Sequence, residues 1–160
     1  MQETLDKLIL QLKKRRLTIS VAESCTGGLV AEKLTSIAGA SSYFDSGFVV
    51  YNAKAKSRML GVSETISKTS GEVSRNVVVA MAEGAVKSSD AHYALAITGI
   101  AGPTGGTTEK PLGMVWIGWA GKNSSPDSKC FHFKGDRTAI REQAAEEAMK
   151  GMITYMVKNA

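Results

Sequence analysis

Apolar positions fall along this chain in two rhythms. Leu5, Leu8, Ile9 and Leu12 recur at helical spacing, which predicts an amphipathic first helix over residues 3–16. Short runs at 17–22, 47–51, 92–98, 112–120 and 128–134 read as strands whose Val and Ile content suits burial on both sides. Helical patterns lie between them near 26–37, 52–60 and 74–88. A last helix near 136–158 turns Ala145, Met149, Met152, Ile153 and Met156 inward, and Asp136 after Gly135 is a good N-cap for it.

Strands alternating with helices predict a three-layer α/β/α sandwich. The stretch 112–134 breaks that rhythm, because two strands joined by GKNSSPDS read as a hairpin. The sheet is therefore expected to be mixed and mostly parallel, with about five strands. No internal repeat or linker divides residues 1–160, which read as one domain. One connection is unusual. GIAGPTGGTTEKP, residues 99–111, is a glycine-rich loop of a length that is commonly functional.

Composition narrows the function classes. The chain is 43% hydrophobic and 22% charged with a net charge of +5, ordinary for a globular protein. Its densest basic run, LKKRRLT, reads as the solvated end of the first helix; aromatic interleaving is missing, so nucleic acid is not an expected partner. No signal peptide or twenty-residue apolar span is present, and Cys25 and Cys130 lie far apart. These features predict a cytoplasmic protein with free thiols and no membrane partner. Cys, His and carboxylates never approach metal-ligand spacing, and His92 and His132 read as structural histidines in strand-like runs.

Two stretches follow strands directly, AESCTGG after the first and TGIAGPTGG after the third. In an open α/β sheet, ligands settle outside the carboxyl ends of the strands, so parallel first and third strands would bring both loops to one edge. Their glycines let backbone N–H groups approach a ligand, and Thr26-Gly27-Gly28 opens a helix whose N-terminus favours an anion or oxyanion. Such turns also carry glycine for purely structural reasons, and the spacings that define a P-loop or a dinucleotide fingerprint are absent. A nucleophile at Ser24 or Cys25 needs a base. VVYNAKAKSRMLGV supplies Lys54 and Lys56 beside Tyr51, and a lysine serves as base where burial or neighbouring positive charge leaves its amine neutral. The residues alone leave open which lysine that is, and whether both simply face solvent.

Four motifs in one order make the reading specific. VAESCTGGLVAEKLTSIAGASSYF, VVYNAKAKSRMLGV, AITGIAGPTGG…EKPLGMVWI and FKGDRTAIR together resemble the CinA C-terminal-domain family, the nicotinamide-mononucleotide amidohydrolases, in its stand-alone form. The resemblance covers nearly the whole chain and implies a three-layer α/β/α domain with a mixed sheet. It implies hydrolysis of nicotinamide mononucleotide to nicotinic acid mononucleotide and ammonia, a step of pyridine nucleotide recycling that needs no metal or organic cofactor. Carried over by motif, Ser24 is the nucleophile, Tyr51 and Lys56 stand in the second motif, and Thr98 stands beside them. The resemblance thus selects Lys56 over Lys54 and leaves Cys25 as a packed thiol. Thr26, Gly27, Gly28, Gly102 and Gly105 are the candidate amide donors to substrate. Arg137 is a candidate for the substrate phosphate, against the plainer reading that it pairs with a surface carboxylate. A homodimer is the common assembly for small α/β enzymes of this kind.

Two departures from the family pattern stand out. Tyr51-Asn52-Ala53 replaces the usual Y-S-N, with Asn52 a partial substitute for the lost asparagine. Gly102-Pro103-Thr104-Gly105-Gly106 replaces the usual G-P-D-G-G. They define an alternative reading: a catalytically weak or inactive member that binds pyridine nucleotides or acts as an interaction protein. Intact Ser24 and Lys56 weigh against it.

Overall fold

A computed structural model describes residues 1–160. Six α-helices surround one five-stranded sheet: α1 (Gln2–Arg15), α2 (Leu29–Thr35), α3 (Ala53–Leu60), α4 (Glu64–Ser70), α5 (Arg75–Lys87) and α6 (Arg137–Lys158). The strands are β1 (Ile19–Glu23), β2 (Phe44–Val49), β3 (Tyr93–Gly99), β4 (Met114–Gly121) and β5 (Ser124–His132), in the order β2-β1-β3-β4-β5. β1 runs parallel to both β2 and β3, while β4 is antiparallel to its neighbours β3 and β5. Only β4 therefore opposes the common direction, and the sheet is mixed and mostly parallel as the pattern predicts.

Side chains alternate across the sheet and divide the interior in two. Ile19 and Val21 of β1, Tyr93, Leu95 and Ile97 of β3, and Ile117 and Trp119 of β4 pack against α1, α2 and α6. The other face presents Ala22, Ala94, Ala96 and Ala120 to the core of α5. The alanine face leaves room for α5 to approach closely. Gly118 of β4 lies so close to the Val78 carbonyl of α5 that a Cβ there would stand 3.0 Å from it. On the first face α1 turns Leu5, Leu8 and Leu12 inward, each fully buried and worth roughly 1.5–3 kcal/mol.

The hairpin is tighter than its sequence suggests. Gly121 pairs with Ser124, so Lys122 and Asn123 alone form the turn and SSPDS belongs to β5. Pro126 is tolerated within a strand because β5 is the edge of the sheet and need not donate there. The short helix α4 was not expected from the sequence: ETISKTS has no apolar stripe, and only Ser67 in it is buried. Asp136 caps α6 as anticipated, accepting from the Ala139 N–H at 2.8 Å.

The chain leaves β1 on one face to reach β2 and returns over the other face to β3, so the strand order reverses between β1 and β3. Ligands of open α/β sheets settle at this kind of switch point. There Glu23 stands between Val49 and Ile97, which brings the segments after three strands side by side.

Candidate active site

The loop after β1 is tied down on every side. Ser24 donates its N–H to the Ile97 carbonyl at 3.1 Å, joining the loop to β3. Glu23 is completely buried, and its carboxylate accepts from the Val30 N–H at 2.9 Å and the Ala31 N–H at 3.0 Å. The charge that the start of α2 attracts is therefore supplied from within the fold. Arg141 of α6 closes the other side, donating through Nε to the Cys25 carbonyl at 3.0 Å and through Nη2 to the Thr26 carbonyl at 2.9 Å. Gly27 and Gly28 make the turn possible, with φ of 57° and 104°, values that side chains resist. Within this loop the N–H groups of Cys25 and Thr26 have no backbone partner. The Cys25 thiol is packed in the core, and burial pushes its pKa up to about 11.

The second wall follows β2. Tyr51 is largely exposed, at 57%, and Asn52 caps α3 by accepting from the Ala55 N–H at 2.8 Å. The Asn52 Oδ1 is thus engaged by its own helix, and Asn52 is not among the residues that line the cavity. Lys54 faces solvent, whereas Lys56, one turn-half further, is turned inward and 1% exposed. Lys56 Nζ donates to Glu72 Oε1 at 3.2 Å, in the link between α4 and α5. Thr98 at the end of β3 donates its hydroxyl to the Glu72 backbone carbonyl at 2.9 Å.

The glycine-rich loop and α6 complete the rim. Arg137 donates through Nη1 to the Gly102 carbonyl at 2.9 Å and through Nη2 to the Tyr51 hydroxyl at 2.8 Å. It has no carboxylate partner, which overturns the plainer reading of Arg137 as one half of a surface ion pair. The N–H groups of Ala101, Gly102, Thr104, Gly105 and Gly106 have no backbone partner either.

Ser24, Tyr51, Lys56 and Thr98 line one cavity of about 240 Å³ together with Glu72 and Arg137. Gly102, Thr104 and Gly105 form part of the same wall. Thr26, Gly27 and Gly28 do not: Thr26 is fully buried, and the amides of the first turn of α2 are taken by Glu23. Ser24 and Lys56 line the same space, and no hydrogen bond joins their side chains; the bond that Nζ makes is to Glu72. A larger recess of about 330 Å³ between β5 and α6 contains none of these residues.

Three contributors to this site escaped the sequence reading. Glu72 was hidden because nothing in ETISKTSGEVS indicated that a short helix would deliver it to Lys56. Glu23 had a legible signal, an acid ending an apolar strand immediately before a helix start. Arg141 stands four residues after Arg137 in the sequence, but nothing local marks it as the clamp on the loop after β1.

Together the sheet, its switch-point cleft and the buried lysine opposite a strand-end serine define an α/β/α domain with a polar cleft of the kind that binds small molecules. The chain belongs to the CinA C-terminal domain family, whose family model matches residues 1–156. It is 46% identical over 148 residues to the nicotinamide-nucleotide amidohydrolase PncC of Escherichia coli K12, covering 92% of this chain and 90% of that one. The protein of the same name from Enterobacter agglomerans is 45% identical over the same shares. Other relatives are longer: this chain spans 35% of a CinA-like protein of Akkermansia muciniphila, at 43% identity over 91% of its own length. Among solved structures, the competence/damage inducible protein CihA of Agrobacterium tumefaciens superposes with a TM-score of 0.93 at 41% identity, covering 95% of this chain and 93% of that one.

Proposed function

We propose that this chain is a nicotinamide-nucleotide amidohydrolase that converts nicotinamide mononucleotide to nicotinic acid mononucleotide and ammonia, using Ser24 and Lys56 as a pair. The observation that carries the reading is a nearly inaccessible lysine amine opening on the same 240 Å³ cavity as the serine that ends β1. Two relatives of nearly equal length bear the name of this activity, which supports the substrate.

The reaction runs in two halves. In the first, Lys56 in its free-amine form takes the Ser24 hydroxyl proton as Oγ attacks the carboxamide carbon. The N–H of Cys25, free of a backbone partner and on the cavity wall, is the donor for the oxyanion that develops. Lys56 then returns that proton to the departing nitrogen, the C–N bond breaks, and ammonia leaves an ester on Ser24. In the second, water loses a proton to Lys56 and attacks the ester. Ser24 regains its proton and the carboxylate product departs. Thr98 holds the backbone of Glu72, and Tyr51 with Arg137 forms the rim over the cavity. The guanidinium of Arg137 and the free amides of 101–106 form the cationic, donor-rich side on which a 5′-phosphate is held. A place in pyridine nucleotide recycling follows from this product.

Direct measurement of ammonia released from nicotinamide mononucleotide tests the reading. Release by the wild type and its loss in Ser24→Ala is the expected result. Binding without release would make the chain a pyridine-nucleotide binding protein instead.

A further inference from the structure

Glu72 is the one charged side chain of the cavity to which the chemistry above gives no task. Its carboxylate accepts from Lys56 Nζ at 3.2 Å, and it is 45% exposed where Lys56 is 1% exposed. The position is built from both sides. From beneath, Thr98 of β3 donates to the Glu72 carbonyl at 2.9 Å. From above, Lys110 of the glycine-rich loop donates to the Ser70 carbonyl at 2.8 Å. Gly71 between them has φ of 81°, and a Cβ there would run into Lys110 Nζ. Backbone contacts thus fix the segment on either side of the carboxylate.

We propose that Glu72 is a positioning residue for the Ser24–Lys56 pair: its carboxylate holds Lys56 Nζ at the cavity wall and sets the pH range in which Lys56 takes up the serine proton. This rests on the amidohydrolase reading. A carboxylate in contact with an amine favours the protonated amine, so Glu72 anchors Lys56 and restrains its action as a base at low pH. Other ionisable groups surround the pair. Cys25 stands at the end of β1 and Tyr51 after β2, both on the cavity wall. Arg137 and Arg141 come from α6, and Lys110 comes from the loop. Glu23, the other nearby carboxylate, is engaged with α2 on the opposite face of the sheet.

Glu72→Gln keeps an acceptor at the same place and removes the charge; Glu72→Asp keeps the charge; Glu72→Ala removes both. The experiment follows kcat/KM for ammonia release from nicotinamide mononucleotide against pH in each variant. In parallel it follows the NMR titration of lysine labelled with 13C at Cε, with the Lys56 signal assigned by its loss in Lys56→Arg. In Glu72→Gln the acid limb should move to lower pH by about one unit, and the Lys56 titration should move with it. Glu72→Asp should return both toward the wild type. Glu72→Ala should in addition lower the plateau kcat about tenfold, because Nζ loses its anchor. Unchanged midpoints in Glu72→Gln, with only the melting temperature lowered, would overturn the proposal and leave Glu72 a structural strut. A wild type that releases no ammonia would remove the amidohydrolase reading. The Lys56 titration in Glu72→Gln would then still decide whether Glu72 governs the charge on Lys56.

Discussion

The two loops at the switch point look alike in sequence and are built in opposite ways. The loop after β1 has its carbonyls held by Arg141, its helix start occupied by the Glu23 carboxylate, and its Ser24 N–H bonded to β3. The loop after β3 is held mainly at its ends, while the N–H groups of Ala101, Gly102, Thr104, Gly105 and Gly106 have no backbone partners. Both are glycine-rich, and glycine serves a different purpose in each. In the first it lets the chain turn so that neighbouring groups can lock it; in the second it exposes donors. A reacting atom needs the first construction, because misplacement by a fraction of an ångström is costly to a reaction, whereas a bound anion needs the second.

The largest effects should come from the locked side. Under the proposed chemistry, Ser24→Ala and Lys56→Ala should each lower kcat by roughly 10⁴-fold or more, and the double variant should be little worse, because groups that act as a unit are not additive. Steady-state ammonia release from the single and double variants measures this. Cys25→Ser should keep most of the activity. The thiol next to Ser24 is a poor nucleophile here, since burial raises its pKa from 9.0 to about 11. Between those values the unfolded chain releases a proton that the folded chain keeps, so stability should fall as pH rises through that window. Denaturant melts of wild type and Cys25→Ser from pH 8 to 11 check the sign: the decline should be shallower in the variant. A dead Cys25→Ser with an active Ser24→Ala would reverse the assignment.

The lock itself can be broken in two places. Arg141→Ala frees the carbonyls of Cys25 and Thr26, the two peptide groups that directly follow the proposed oxyanion donor at the Cys25 N–H. It should lower kcat by roughly 10²-fold with a smaller change in KM. Equal losses in kcat and in thermal stability at the assay temperature would make Arg141 a fold residue only. Glu23→Gln places an amide where two N–H donors need an anion, and should cost about 2 kcal/mol of stability, a fall in Tm of roughly 4–8 °C. Calorimetry on the variant measures this directly. An unchanged Tm would mean that water replaces the carboxylate at the start of α2.

How far the sequence went differs between the same two regions. The strands, the reversed hairpin and the capped last helix were legible because apolar periodicity and turn chemistry are local properties. The motif residues Ser24, Tyr51, Lys56 and Thr98 were legible by resemblance, and they line a common cavity. The pattern of residues could not separate Lys54 from Lys56, since both lie on a short helix; only the packing of α3 against α5 turns Lys56 inward. Glu72 and Arg141 were illegible for a related reason. Each reaches the site across a long sequence separation, and nothing local marks the contact. Thr26, Gly27 and Gly28 follow from a rule about helix starts; in the structure they lie off the cavity, and Glu23 takes the Val30 and Ala31 N–H groups of that start from inside. An acid immediately before such a turn is the local sign that the anion site is occupied.

The smallest effect tests the open side. Arg137 bridges the Gly102 carbonyl and the Tyr51 hydroxyl, so it can serve the site in two ways: by holding the rim, or by giving charge to a phosphate. Nicotinamide mononucleotide and its riboside differ only in that phosphate, which separates the two. If the guanidinium meets the phosphate, Arg137→Ala should raise KM for the mononucleotide about tenfold, the scale of one charge-assisted hydrogen bond, and leave hydrolysis of the riboside unchanged. Arg137→Lys should recover only part of the loss, because an ammonium cannot reproduce the fork that grips two oxygens at once. Equal losses on both substrates would instead assign Arg137 to the rim. The free amides of 101–106 would then carry the phosphate by themselves, and the contrast with the satisfied helix start after Ser24 would be complete: one glycine-rich loop closed on the protein, the other open to the ligand.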